Sequence, residues 1–428
     1  MKKRNGVLGF LCAVSIITFL DRLAIPVAEP GIRADLHLNP RQWGWVLSAY
    51  VLSNALFEIP SGAMGDRNGR RLELTRIAVW WSGFTALTGW CRNFLQMAGA
   101  RFLFGVGAAG AYPNAAGVVS EWFPKQEHAR AQGFVWGASR LGGALAPILL
   151  VPLAQHWGWR SIFWVLGVVG LAWSAVWYLW FRDDPAKQPG ISAAELSEIR
   201  AGQIGVSESH AAVPWRQIFS LPHLWLIAAA YFCYAWGSWF YFGWFTTWLI
   251  HGAGFSVAQM GFFASFPFLM GLIGNLAGGQ VSEMLVERYG RRRTYRWVTS
   301  FCLVVGGALL LAMSVAHSHA SIIALATLGF GVMDLMLPSA WAMCMSLGGR
   351  FGGTATGVMN TAGNLGGWVC TVVFGYVVQA TNNYEIPLRA VAAMVLIAAL
   401  IFSRVDCTRG LVEGQIVPHF PHQTAPTS

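Results

Sequence analysis

Long apolar runs separated by short polar ones recur from one end of the chain to the other. A helix needs about 20 predominantly apolar residues to cross a bilayer. The pattern predicts twelve such spans, over 6–27, 42–61, 73–91, 96–120, 130–153, 159–180, 222–250, 256–281, 297–316, 320–346, 354–378 and 386–404. They are numbered 1 to 12 below. MKKR precedes span 1 as it would a signal peptide, but no small-residue cleavage site follows and many further spans do. It reads as a retained helix. Residues 181–220 are the one long polar stretch, and they divide six spans from six. Within them AAELSEIRAG predicts a short helix and the rest a linker. The expected organisation is a first six-helix bundle over 1–180, a linker over 181–220, a second bundle over 221–406 and a tail over 407–428. The last residues, PHFPHQTAPTS, read as disordered.

Composition agrees with a membrane protein. The chain is 55% hydrophobic and only 11% charged, where soluble domains carry roughly 25% charged residues. Its 22 Trp and 49 Gly are an excess typical of membrane helices and their interfaces. Lys and Arg set the orientation. With the N-terminus in the cytoplasm, 21 of the 29 fall at or near the cytoplasmic face, and Arg33, Arg41, Arg92, Arg160 and Arg389 at or near the outer face. Both termini are therefore expected in the cytoplasm. The net charge of +10 is a sidedness signal, and nucleic-acid binding does not follow from it. The seven Cys show no CxxC and no His/Cys cluster with metal spacing. No disulfide framework, metal or cofactor is expected. No nucleophile–base arrangement points to an enzyme.

The two halves echo each other. GAMGDRNGRR (Gly62 to Arg71) follows span 2, and GGQVSEMLVERYGRRR (Gly278 to Arg293) closes span 8. Each is a helix end started by Gly, then an acid, then a Gly before an Arg cluster. Repeated halves are a mark of transporters, with the substrate site near the midplane between them. With the central loop and GAMGDRNGRR, this layout resembles the major facilitator superfamily. DR near the end of span 1, RFLFGVGAAGAYPN with EWFP closing span 4, and GVMNTAGNLGG in span 11 are similar to its anion:cation symporter branch. That branch carries hexuronates, galactonate, glucarate and similar organic anions. The resemblance implies a multi-pass cell-membrane transporter of a small organic anion and a proton, expected as a monomer. It also implies a conformational latch of Gly62, Asp66, Arg67, Gly69, Arg70 and Arg71 that does not touch substrate.

Three Arg fall well within spans: Arg22, Arg101 and Arg140. A charge at the bilayer centre costs roughly 2.5–3.5 kcal/mol even on the mild insertion scale, so each needs a cavity or a partner. At about 1.5 Å rise per residue, Asp21 in span 1 and Arg101 in span 4 both lie about 8 Å from the outer edge. Asp21 is expected to pair with Arg101, leaving Arg22 to grip a carboxylate with its two-pronged donor face. Asp21 is the expected proton carrier, a role the resemblance also implies.

Where the family usually has Glu seven residues after that Arg, this chain has Ala108. In span 2 it has Asn54 and Glu58 where relatives often show Tyr and Gln. Asn54 is a substrate-binding candidate. Glu58 is a second candidate for proton coupling, but its place near the cytoplasmic end favours a pair with a cytoplasmic Arg. Arg140 near midplane reads either as an anion ligand or as the partner of Asp334 in span 10, itself a coupling candidate. Asn360 and Asn364 of span 11 share one helix face and suit hydroxylated acids. Tyr241 and Trp244 of the aromatic span 7, and Trp341 of span 10, are candidate cavity residues.

A negative charge moving inward against the membrane potential costs about 2.3 kcal/mol per 100 mV. With no second proton site in clear view, the sequence leans toward a monovalent acid, or toward exchange of one anion for another. Proton symport remains the leading expectation. An exchanger or uniporter is the alternative that Ala108 favours, and a transport-dead sensor the remote one.

Overall fold

The computed structural model describes residues 2–124, 127–201, 215–348 and 352–408. The described part of the tail ends there, and its expectation beyond residue 408 lies outside the described residues. The protein is built of helices that follow the twelve expected spans. Spans 1, 2, 3, 5 and 6 run over Lys3–Val27, Pro40–Asn68, Arg70–Thr88, His128–Trp157 and Trp159–Trp180. Spans 9, 11 and 12 run over Arg291–Met313, Gly352–Thr381 and Glu385–Phe402. Among the described residues nine helices are long and apolar enough to cross a membrane. Spans 2, 3 and 7 are helical over comparable lengths, but polar and Trp/Tyr residues dilute their apolar character.

Three spans are broken, each in the turn before a proline. Span 4 divides into Phe94–Ala108 and Ala111–Trp122 ahead of Pro113. Span 8 divides into Val257–Phe263 and Ser265–Tyr289 ahead of Pro267, and span 10 into His319–Leu335 and Leu337–Gly348 around Met336. A proline has no N–H to give the carbonyl four residues back. In span 10 that carbonyl is Asp334's, and the Met336 N–H takes it instead. Span 7 is interrupted differently: Pro222–Trp239 widens into a π-helical turn at Phe240–Trp244 and resumes as Phe245–His251.

The halves repeat each other in local structure. Spans 2 and 8 both start with a capping box, Asn39 with Gln42 and Ser256 with Gln259. Spans 4 and 10 both start with a single side-chain cap, Asn93 to the Gln96 N–H and Ser318 to the Ser321 N–H. The turns after spans 2 and 8 both use a Gly at positive φ, Gly69 at 84° and Gly290 at 76°. Packing repeats as well. The pairs 1–5, 2–4 and 3–6 in the first half return as 7–11, 8–10 and 9–12 in the second. The halves meet along two seams, span 2 on span 11 and span 5 on span 8, which the same repeat exchanges.

The face that carries the N-terminus, the linker and residue 408 is called the terminal face here, and its opposite the far face. On the terminal face the linker helix Ala193–Ala201 caps span 1, as Glu195 accepts from the Lys3 and Arg4 N–H groups at 3.0 and 2.8 Å. Arg4 bridges Glu127 and Glu198 at 3.3 and 3.1 Å.

Candidate functional site

Eight spans converge on one cavity of about 590 Å3. Its walls come from spans 1, 2, 4 and 5 in the first half and spans 7, 8, 10 and 11 in the second. Toward the terminal face it reaches Gln132 and Met345, each within about one turn of its helix end. Toward the far face it is sealed by contacts between the halves. Thr246 of the second half donates to the Pro26 carbonyl of the first at 2.9 Å, and within the second half Trp244 donates to the Thr371 carbonyl at 3.1 Å just above the cavity. A Cβ on Gly44 of span 2 would lie 2.7 Å from that same carbonyl of span 11, so the two backbones touch. At the rim, buried Glu29 meets Arg33 at 2.7 Å and His251 of the second half at 3.1 Å.

The cavity is chemically two-sided. The first half contributes Arg22, Arg101 and Arg140; the second contributes Tyr, Ser, Asn and Trp and, among the described residues, no cation. Arg22 is framed by aromatic rings, its guanidinium carbon 5.1 Å from the Phe19 centroid and 5.4 Å from those of Tyr50 and Tyr112. Its buried Nε has no hydrogen-bond partner, and among the described residues it makes no ion pair. Arg101 is buried against Phe104 at 4.1 Å, with Nη1 unpartnered. It lies 5.7 Å from the same Tyr50 ring, so the expected agreement in depth between spans 1 and 4 is met.

The expected Asp21–Arg101 pair is corrected. Asp21 is buried beside the cavity but does not line it, and Oδ1 accepts from Thr85 of span 3 at 3.2 Å. Its Oδ2 has no hydrogen-bond partner. Among the described residues there is no ion pair between Asp21 and Arg101, although Arg101 is the guanidinium whose field acts on it. Matching depth does not fix rotation about the helix axis, and the carboxylate points to span 3.

Arg140 is engaged. Its Nε and Nη2 grip Asp334 at 2.7 and 3.1 Å across the two halves. Gly271 leaves room for the pair, since a Cβ there would meet Asp334 Oδ2 at 2.8 Å. Of the two readings of Arg140, the ion pair is the one found.

Among the described residues Glu58 forms no ion pair with an Arg, contrary to the expectation. Both its oxygens accept from Asn360 Nδ2 at 3.1 Å, and Oε2 also accepts from Asn364 Nδ2 at 3.3 Å. Asn360 and Asn364 line the cavity together, as their spacing implied, but their amide N–H groups are given to a carboxylate of the other half.

Trp341 lines the cavity; Tyr241 and Trp244 do not. Both are fully buried and donate to backbone carbonyls, Tyr241 to Ala326 at 3.0 Å and Trp244 to Thr371. Trp239, Phe242 and Gly243 face the cavity instead. Asn54 is buried away from the cavity, where Tyr50 stands one turn earlier. Sequence reasoning missed Tyr50, Tyr231, Tyr234 and Ser238. The last three, with Phe242, sit three or four residues apart and form one helical face of span 7, a signal that was readable.

Ala108 is buried in the first half's own core and presents no group to the cavity. The expected latch is described only in part. Gly62 and Asp66 fall on the span 2 helix, and their side-chain surroundings lie outside the described residues. Arg67 is exposed at the helix end. Arg70 donates to Asn114 of span 4 at 2.9 Å and lies 3.5 Å from Glu121. The Arg71 N–H donates to Asp183 at 2.7 Å, and its guanidinium to the Tyr178 carbonyl of span 6. Gly69 lies against Asp183 as well.

Two repeated six-span halves around a cation-lined cavity define a multi-pass membrane transporter. The chain belongs to the Major Facilitator Superfamily, whose pattern matches residues 11–371. It is 33% identical over 94% of its length to the "Probable sulfoacetate transporter SauU" of Cupriavidus necator, covering 93% of that protein. It is 28% identical to a D-galactonate transporter of Escherichia coli, with 94% of this chain and 95% of that one covered. The "Probable galactarate/D-glucarate transporter GudP" of Bacillus subtilis is also 28% identical, with 92% and 90% covered. Among solved structures, a bacterial homolog of the human lysosomal transporter Spinster in an inward-facing and occupied conformation superposes with a TM-score of 0.79. It is 17% identical, and the match covers 96% of this chain and 99% of that one, which establishes a shared fold.

Proposed function

We propose that this protein imports a small organic anion together with protons, by alternating access of its two halves, and that the terminal face is cytoplasmic. The observation that carries the anion reading is Arg22: a guanidinium on the cavity wall, held by three aromatic rings and, among the described residues, bonded to no carboxylate. A guanidinium inside a membrane protein that keeps a hydrogen-bond donor open is the group an arriving anion would meet. Arg101 stands beside it, and a carboxylate or sulfonate between them would fill the donors that both leave open. The Tyr, Ser and Trp face of the second half suits the remainder of the molecule. The names of the similar transporters, for sulfoacetate and for sugar acids, support this class of cargo.

The sidedness rests on the concentration of Lys and Arg at the terminal face. On that orientation the cavity is open inward, because the far-face contacts are closed while the cavity reaches Gln132 and Met345. Asp21 is the proposed proton carrier. Its Oδ2 is an unpartnered oxygen where a proton would sit, and the field acting on it comes from Arg101, which an incoming anion also attracts.

Uptake of sulfoacetate and D-galactonate into proteoliposomes, with and without an imposed inward proton gradient, tests the reading. Accumulation above equilibrium under the gradient is expected. Uptake that only equilibrates, or that requires an anion on the other side, would establish the uniporter or exchanger that Ala108 favours.

A further inference from the structure

We infer that Glu58 is a second proton-accepting carboxyl, and that with Asp21 it sets this transporter to carry a small dianion with two protons. The inference deepens the symport reading given above and rests on it.

The first argument is the nature of the partners of Glu58. Its hydrogen bonds come from the amides of Asn360 and Asn364, and among the described residues it makes no ion pair. An Arg or Lys partner has only donors and would hold the group as a carboxylate. An amide has donors and an acceptor on one rotatable plane. Asn360 can donate N–H to the carboxylate, or turn its carbonyl to accept the O–H of the carboxylic acid. The same pair therefore serves both protonation states, which suits a group that must gain and lose a proton in each cycle.

The second argument is charge balance. The groups facing Glu58 from neighbouring elements are few. Arg22 of span 1 is the cation whose field reaches it, and Tyr50 of its own span lies within its field. On span 3, Glu73 and Arg76 pair with each other at Ser61 and cancel. On span 4 the nearest cation is Arg101, whose field falls on Asp21 and Tyr50. Arg140 and Asp334 also cancel. The remaining set is Arg22 and Arg101 against Asp21 and Glu58, two positive and two negative charges that balance without forming ion pairs among the described residues. A bound dianion upsets this balance by two, and one proton on each carboxyl restores it. A single carrier could restore only one.

The third argument is position. The Glu58 bond spans the seam between spans 2 and 11, one of two seams along which the halves meet. Rocking of one half against the other works on that bond directly, so its protonation state and the conformation are linked.

The test compares wild type, Glu58→Gln and Asp21→Asn in proteoliposomes, recording sulfoacetate uptake, the protons carried per anion with an internal pH dye, and the response to a clamped membrane potential. The wild type is expected to move two protons per sulfoacetate and to be indifferent to voltage. Glu58→Gln is expected to halve the ratio to one and to be slowed by an inside-negative potential. An unchanged ratio of two in Glu58→Gln overturns the inference while leaving symport intact. A wild type that moves no proton overturns symport and the inference together, which the wild-type trace alone reveals. A substrate-independent reading accompanies this: the carboxylic-acid C=O infrared band of the purified protein, followed as pH is stepped. One titrating band is expected to vanish in Glu58→Gln, and its persistence also overturns the assignment.

Discussion

Arg22 and Arg140 are two guanidiniums on one cavity wall with opposite prospects. Arg22 keeps open donors, so replacing its planar fork with an ammonium removes a two-pronged bond to a carboxylate. Hydrogen bonds to charged groups are worth about 1.5–3 kcal/mol, so Arg22→Lys is expected to lower uptake by roughly tenfold or more at limiting substrate. The protein should stay folded, as size-exclusion chromatography in detergent would check. Arg140 is matched by Asp334, and its loss is expected to register as instability. Asp334→Asn leaves a buried guanidinium without its counter-charge, at a cost of about 3–5 kcal/mol. The double change Arg140→Met with Asp334→Leu removes both charges and is expected to melt closer to wild type. A detergent melting series of the three proteins decides it, and a double variant as unstable as the single one would show that the pair's hydrogen-bond geometry matters more than its charge. Tyr241→Phe makes the contrast, since it removes one hydroxyl donated to a backbone carbonyl far from the cavity. About 1 kcal/mol of stability should go and transport should remain.

Short elements carry the next level of organisation. The turn between spans 2 and 3 depends on Gly69, whose φ of 84° and contact with Asp183 leave no room for a side chain. Gly69→Ala is expected to cost about 1–2 kcal/mol from the left-handed backbone alone, read as a lower melting temperature with cargo binding retained. Its counterpart after span 8 is Gly290, followed by Arg292, whose guanidinium pairs with Asp406 at 2.9 Å, where the Arg71 backbone N–H meets Asp183 in the first half. On the far face the helix Glu29–Leu36 ends near Asp35, which accepts from Arg160 and Trp159. Those hydrogen bonds hold the Asp35 carboxyl below the usual carboxylate range. A carboxyl depressed in the folded state stabilises fully above its unfolded pKa of about 3.9 and loses that contribution as pH falls through the folded value. Asp35→Asn should therefore leave the pH profile of transport unchanged at neutral pH, which uptake across a pH series would check.

Over the whole molecule the two halves are sealed on the far face and separated by the cavity toward the terminal face. Single cysteines at Gln132 and Met345 are expected to react with an impermeant thiol reagent applied to the terminal face, in inside-out vesicles on the proposed orientation. They should be protected when the reagent is applied to intact cells. A cysteine at Glu29 tests the opposite side and, being buried there, should react slowly until cargo and protons open the far face. Reaction of Gln132→Cys from the outside in the absence of cargo would contradict the proposed sidedness.

The sequence by itself determined the number of spans, the division into halves, and the charges Asp21, Arg22, Arg101, Arg140 and Asp334 within spans, but the breaks in spans 4, 8 and 10 were not read from it, since Pro26, Pro60, Pro147 and Pro152 lie in unbroken helices. What was legible follows from properties read along one dimension: apolar length against bilayer thickness, and the cost of a charge in hydrocarbon. Depth was legible for the same reason, because each helical residue rises about 1.5 Å: Asp21 and Arg101 were expected near one level, and Arg22, next to Asp21, and Arg101 both lie by the Tyr50 ring. Only the tertiary structure decided rotation and partnership. Each residue turns its side chain by about 100° around the axis, and which arc of span 7 meets the cavity depends on how the bundle packs, so Tyr241 and Trp244 turn into the protein and Phe242 into the cavity. Asp21 finds Thr85, and Glu58 finds two asparagines some three hundred positions away, because partners across a bundle depend on how helices face each other, and no local pattern in the chain records that.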